Sequence, residues 1–117
     1  MKAILLATHG SRNENSRAEI VQLAQDIRQR SGASIVEFAF LDVDKPTIPE
    51  GIESCVKQGA TEITVLQNFL NSGNHVLHDI PAIVADAKKK FPGLTFKMTP
   101  PIGRHPKIPD LFLDLIK

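Results

Sequence analysis

Two imidazoles and a carboxylate, His75, His78 and Asp79, crowd into the stretch Asn71-Ser72-Gly73-Asn74-His75-Val76-Leu77-His78-Asp79-Ile80-Pro81. Neutral imidazole ligates first-row divalent metals and accepts protons, and a nearby carboxylate can orient it, so the cluster suits metal binding or proton transfer. If the backbone is already helical at His75, then His75 and Asp79 stand one turn apart and share a face with His78. Gly73 supplies the backbone freedom that a sharp exit from the preceding apolar run calls for. A second set lies near the start, His9-Gly10-Ser11-Arg12. There an imidazole is followed by backbone N–H groups, a hydroxyl and a planar cation, a clamp for carboxylates or phosphates. His105, between Arg104 and Pro106, completes the histidines.

Each of these residues has a plainer reading beside the chemical one. A histidine at the end of a buried strand is often only hydrogen-bonded, Arg12 can be a solvated surface charge, and Asp79 just ahead of Pro81 suits a helix N-terminus. His75 is the residue for which chemistry is the better reading. For His78 and His105 we expect secondary or purely structural roles.

The elements that must position these groups read as alternating strands and helices. Ala3 to Thr8 is a continuous apolar run fit for a central parallel strand, and Asn15 to Arg30 carries apolar residues at helical spacing before Gly32. Ser34 to Leu41 predicts a second strand, followed by a helix with Ile48, Ile52, Cys55 and Val56 inward and a stop at Gly59. Cys55 is then a core residue rather than a nucleophile. Thr61 to Leu66 is a third strand, and Ala82 to Phe91 a third helix ending in Lys88-Lys89-Lys90. Leu94 to Met98 predicts a fourth strand, Thr99 to Pro106 a stiff loop, and Ile108 to Ile116 a last amphipathic helix. The expected fold is α/β: one domain over residues 1–117, with about four parallel strands and helices on both faces. All the histidines then follow strands at the carboxyl edge, where such sheets place their ligands.

With 117 residues the chain builds one core but not two lobes, so a wide ligand requires a second copy for its other wall. A net charge of +1 offers no footprint for nucleic acid. A single cysteine excludes an internal disulfide and a multi-cysteine metal site, leaving nitrogen and oxygen to hold any metal and a reducing, cytoplasmic setting as the expectation. The apolar start is too short for a membrane span.

With His9-Gly10-Ser11-Arg12 after the first strand and Gly73-Asn74-His75-Val76-x-x-Asp79-Ile80-Pro81 after the third, the chain closely resembles the short form of the sirohydrochlorin cobaltochelatase/ferrochelatase family, the class II tetrapyrrole chelatases. Phe69-Leu70, Phe38-Ala39-Phe40-Leu41 and Pro100-Pro101-Ile102-Gly103-Arg104-His105-Pro106 support the resemblance, which covers essentially the whole chain. It implies a chelatase-like, flavodoxin-like topology. It also implies insertion of a divalent metal (cobalt, or ferrous iron or nickel) into sirohydrochlorin on the way to cobalamin- or sirohaem-type tetrapyrroles, without an organic cofactor. His9 and His75 match the family's metal-binding and catalytic pair. Ser11, Arg12, Phe69, Leu70 and Gly73 are the expected substrate-side residues, with Phe69 and Leu70 facing the apolar plane of the macrocycle. The resemblance also suggests a homodimer, since two-lobed members look like two such domains fused. Gln67-Asn68 stands where the family usually carries an apolar pair; there a polar side chain either adds a ligand or bonds to backbone.

Two rival readings accompany this one. A phosphoryl-transfer enzyme with His9 as nucleophile is disfavoured because Thr8, not arginine, precedes the histidine. A tetrapyrrole or metal carrier needs the same pocket without turnover.

Overall fold

A computed structural model describes residues 1–71, 73 and 78–117. In chain order the elements are β1 (Lys2–Thr8), α1 (Glu14–Ser31), β2 (Ile35–Phe40), α2 (Ile48–Lys57), β3 (Glu62–Gln67), α3 (Ile80–Lys90), β4 (Thr95–Pro101), a 3-10 turn (Ile102–Arg104) and α4 (Ile108–Asp114). The strands form one sheet in the order β2-β1-β3-β4, and every pair is parallel. That is the α/β architecture expected from the alternation of apolar runs and helical patterns.

β1 is central because it can be buried on both faces. Ala3, Leu5, Leu6 and Ala7 are all buried. Leu5 and Ala7 join Ile48, Ile52 and Cys55 of α2 and Ile80, Val84 and Ala87 of α3 in the larger core. Leu6 faces the other way, with Val36 and Ala24 and against Ile20 and Ile27 of α1. α2 lies close to the sheet at Gly51, where an added Cβ would come within 2.9 Å of Ala39 and Leu5 side-chain carbons. Cys55 is fully buried, and desolvation, followed by the nearby Glu37 charge, raises its thiol pKa to about 12. It packs as a small hydrophobe and is no nucleophile.

Local chemistry sets the helix boundaries. Asn13 caps α1 by accepting from the Asn15 N–H at 2.8 Å, and Gly32 ends it in the left-handed region. α2 opens with a capping box: Thr47 Oγ1 accepts from the Glu50 N–H at 3.3 Å, and Glu50 Oε1 accepts from the Thr47 N–H at 2.8 Å. The Thr47 N–H, and after it the Thr47 hydroxyl, hold the Glu50 carboxyl below its ordinary pKa. α3 begins at Ile80-Pro81, two residues earlier than its composition suggested, since proline is tolerated in a first turn.

The fourth strand departs from expectation. It runs on through Thr99-Pro100-Pro101 rather than stopping at Met98, with Pro101 opposite Gln67 after a register shift. Its position at the sheet edge explains this, because an edge strand needs ladder bonds on one side only and so tolerates prolines. α4 covers neither face of the sheet. Leu111, Phe112, Leu113, Leu115 and Ile116 are all more than half exposed. Among the described residues no helix is long and apolar enough to cross a membrane.

Candidate functional site

Because all strands are parallel, the segments after β1, β2, β3 and β4 leave the sheet at one edge. β1 is flanked by β2 and β3, and the flanking exits continue the ladder past its end. Leu41 N–H donates to Thr8 O at 2.7 Å, Asp42 N–H to His9 O at 3.1 Å, and Asn68 N–H to Ala7 O at 2.9 Å. Gly10 turns the chain here with φ +100°, and a Cβ on it would lie 2.1 Å from the Asp42 carbonyl oxygen. His9 is therefore held through its backbone, with its side chain at the exposed rim. Its ring meets Phe69, on the exit from β3, edge to face with centroids 4.5 Å apart and planes at 83°. The β1 and β3 exits thus touch beside the histidine.

A cleft of about 260 Å³ adjoins His9, lined in part by Gly10, Ser11, Arg17 and Phe40. Ser11 Oγ accepts from the Asn13 N–H at 3.0 Å and so shapes the turn into α1, while its own O–H can still donate. Arg12 is exposed and has no hydrogen bond or ion pair among the described residues. Sequence reasoning overlooked Arg17. Its Nη1 sits 2.9 Å from Asp44 Oδ1, and the guanidinium lies 5.5 Å and 5.3 Å from the Phe38 and Phe40 ring centres. It ties α1 to the loop after β2, where Val43 carries an unfavourable φ of +69°. The one-turn spacing of Arg17 from the Asn13 cap was the signal that it faces the same edge.

A family model, CbiX, matches residues 3–117. The chain belongs to the CbiX family. It is 34% identical over 114 residues to the chloroplastic sirohydrochlorin ferrochelatase of Arabidopsis thaliana, covering 97% of this chain and 51% of that protein. It is 37% identical over 84 residues to the sirohydrochlorin cobaltochelatase of Methanocaldococcus jannaschii, covering 72% and 59%. The cobalt complex of the sirohydrochlorin chelatase SirB from Bacillus subtilis subspecies spizizenii superposes with a TM-score of 0.81 at 37% identity, covering 86% of this chain and 43% of that one. The CbiX chain described here spans about half the length of the curated relatives it matches.

Several expectations for this CbiX chain are corrected by the geometry. Phe69 is 3% exposed and belongs to the main core, so it does not face a ligand plane; its contact with the edge is the one it makes to His9. Leu70, 61% exposed, is the apolar side chain presented outward. Gly73 has no left-handed φ, and a Cβ on it would meet open space, whereas one on Gly10 or Gly103 would collide with backbone at this edge. Gln67 takes the backbone-bonding role, while Asn68 bonds to a side-chain hydroxyl. Gln67 Nε2 donates to Thr99 O at 2.5 Å, and the Gln67 N–H to Thr99 Oγ1 at 3.3 Å. Asn68 Nδ2 reaches Thr8 Oγ1 at 3.5 Å. Gln67 Oε1 is buried without a partner among the described residues.

His75 lies outside the described residues, together with Ser72, Asn74, Val76 and Leu77. His78 is exposed in a wide, π-helical turn ahead of α3, and Asp79 occupies the cap position of α3 without a side-chain capping bond. His105 Nδ1 accepts from the Lys107 N–H at 3.1 Å. Gly103 fastens its turn to the β3 exit, donating its N–H to Phe69 O at 3.0 Å, and a Cβ there would overlap the Leu70 carbonyl. No group of three or more His, Cys, Asp or Glu side chains able to hold a metal occurs among the described residues.

Proposed function

We propose that this chain acts as one unit over residues 1–117 and inserts a divalent metal, Co2+ or alternatively Fe2+ or Ni2+, into sirohydrochlorin, with a second copy forming the other wall around the wide macrocycle. The names of its relatives supply the reaction, and the observation that supports it in this chain is the contact of the His9 ring with Phe69. His75 follows Phe69 in the chain by six residues, and on this reading His9 and His75 approach one metal from neighbouring strands. The metal is substrate here. As it enters, the two pyrrole N–H protons must leave, and neutral imidazoles serve both needs by ligating the incoming ion and accepting a proton. Arg12, which is exposed, and the Ser11 hydroxyl serve in this reading as partners of the macrocycle carboxylates, and exposed Leu70 as its apolar contact.

The test is an absorbance assay of sirohydrochlorin with each metal, using the parent protein, His9→Ala, His75→Ala and the double variant, with circular dichroism confirming the fold. If the pair acts as a unit, each single variant should lose nearly as much rate as the double one. Near-parental rates in either folded single variant would remove the pair from the chemistry. Binding of sirohydrochlorin with no acceleration of metallation by the parent protein would mark it as a carrier.

A further inference from the structure

Beyond Phe40 the chain leaves β2 in a short loop, closed at its neck where the Phe40 N–H donates to Pro46 O at 2.8 Å. At its centre the Asp44 N–H donates to Asp42 O at 2.7 Å across Val43, whose φ is +69°. That is a γ-turn of the rare, strained hand, and it falls on a β-branched residue. Burial does not explain it, since Val43 is exposed. Such a turn persists only where its surroundings over-determine it, so both of its ends must be held. One end is held at the site. The Asp42 N–H donates to His9 O at 3.1 Å, and the Asp42 carbonyl occupies the space that a Cβ on Gly10 would fill. The other end is held by Arg17 of α1. Its Nη1 donates to Asp44 Oδ1 at 2.9 Å and to the Lys45 carbonyl oxygen, and its guanidinium lies against the Phe38 and Phe40 rings. Asp44 Oδ1 also accepts from the Lys45 N–H at 2.9 Å, which fixes the carboxylate in the path of the arginine.

We propose that Arg17 is a positioning residue for the metallation: by holding the Val43 turn from the side of α1 it fixes the Asp42 backbone, and through it the backbone of His9 at the end of β1. This rests on the proposed reaction and adds to it a residue that acts through the loop, without touching metal or macrocycle. Without the guanidinium, Val43 relaxes from φ +69° to an ordinary negative φ, a swing of roughly 130°. Both neighbours cannot stay in place through such a swing, and the neighbour at the site is Asp42. The ring contact of His9 with Phe69 comes from β3 and is independent of this loop, so the expected defect is a misplaced imidazole in an otherwise intact sheet. Arginine suits the position, because one nitrogen serves a carboxylate and a carbonyl while the planar cation rests on two aromatic rings, which an ammonium on a shorter stem does not combine. Arg17 also lines the cleft beside His9, where direct contact with a substrate carboxylate would be the competing role. Its Nη1 is already engaged with Asp44 and Lys45, which favours the loop.

The experiment compares Arg17→Gln, Val43→Gly and their double variant with the parent, all as full-length chains. Two quantities are read: the metallation of sirohydrochlorin with Co2+, and hydrogen exchange at the Asp42 amide, with the Val65 amide of β3 as reference for global opening. In Arg17→Gln the rate constant should fall about tenfold or more with KM within about twofold, and the Asp42 amide should exchange about tenfold or more faster while the Val65 amide is unchanged. Glycine takes a left-handed φ without strain, so the loss on Arg17→Gln should shrink to about twofold when measured against Val43→Gly. A raised KM without rescue by glycine would make Arg17 a substrate contact and overturn the proposal. An Asp42 amide as protected as in the parent would overturn it too, and so would equal acceleration of both amides, which would show that Arg17 only stabilises the fold. A parent that does not metallate sirohydrochlorin would overturn the proposed reaction and this role within it, whereas the preceding results in a metallating parent would overturn the role alone.

Discussion

Replacing Gly10 with alanine tests whether the edge histidine is positioned by backbone geometry. At φ +100° the residue sits where an L side chain is strained, and the new Cβ would stand 2.1 Å from the Asp42 carbonyl oxygen. A carbonyl is backbone, so clearing the contact means moving the β2 exit by about 1 Å. That motion pulls on the Asp42 N–H bond to His9 O, now 3.1 Å. Strain of about 1–3 kcal/mol and the loss of a hydrogen bond of about 1 kcal/mol give a cost on the order of 2–4 kcal/mol. At about 4 °C per kcal/mol for a chain of this size, the melting temperature should fall by roughly 10 °C. Gly73→Ala is the control, since it meets open space without a left-handed φ and should stay within about 0.5 kcal/mol of the parent. Thermal and urea unfolding of both variants measure this directly. If Gly10→Ala is as stable as Gly73→Ala, the edge is softer than its bonds indicate and the reasoning is refuted. In a metallation assay, displacement of His9 by about 1 Å should cost on the order of 100-fold in rate.

Phe69→Leu should lower the metallation rate constant while leaving KM for the macrocycle within about twofold, because Phe69 is buried and touches His9 instead of a ligand; a rise in KM alone would restore the ring to the substrate plane. Thr47→Ala should cost about 0.5–2 kcal/mol in urea unfolding by removing the α2 cap. The Glu50 carboxyl has a lowered folded pKa, so its stabilisation is present above the ordinary carboxylate value and is lost as pH falls through the lowered one. Unfolding curves between about pH 3 and 6 should accordingly show a shallower acid loss in Glu50→Gln than in the parent. Cys55, with its thiol pKa raised to about 12, should react with a thiol reagent at pH 8 only as fast as the protein opens, and fast stoichiometric labelling of the native state would contradict its burial.

Most of the fold was legible because hydrophobic period and helix punctuation agree. The apolar run at Ala3 to Thr8 could only be central, and Asn13, Gly32 and Thr47 mark helix ends by chemistry that does not depend on tertiary contacts. β4 was harder. Proline argues against a strand only when both sides of the strand need ladder bonds, and the position of β4 at the edge follows from strand order, which no local pattern encodes. The exposure of α4 was likewise invisible, since an amphipathic stripe states that a face must be covered without stating by what.

Which residues gather at the carboxyl edge was legible, and less so how their side chains turn, although part of that orientation was already written in the period of β3. Ile63, Val65 and Gln67 are buried in alternation, and Phe69 continues the same parity two residues on, so its side chain enters the core while Leu70 turns outward. The same parity forces Gln67 inward. A buried amide must find partners, and Thr99 on the neighbouring strand supplies them for the Nε2 donor but not for Oε1. An aromatic residue beside a histidine-bearing loop suggests a ligand platform when read alone, and a core anchor when read in register with the strand that leads to it. The second reading makes Phe69 the element that transmits the rigidity of the sheet to the His9 ring. Since the backbone of His9 is clamped by the β2 exit and its ring by the β3 exit, the imidazole at this edge is ordered by its neighbours. On the proposed reading, a histidine so held would lose little further freedom on ligating a metal, the physical advantage of a place at the end of the central strand rather than on a longer loop.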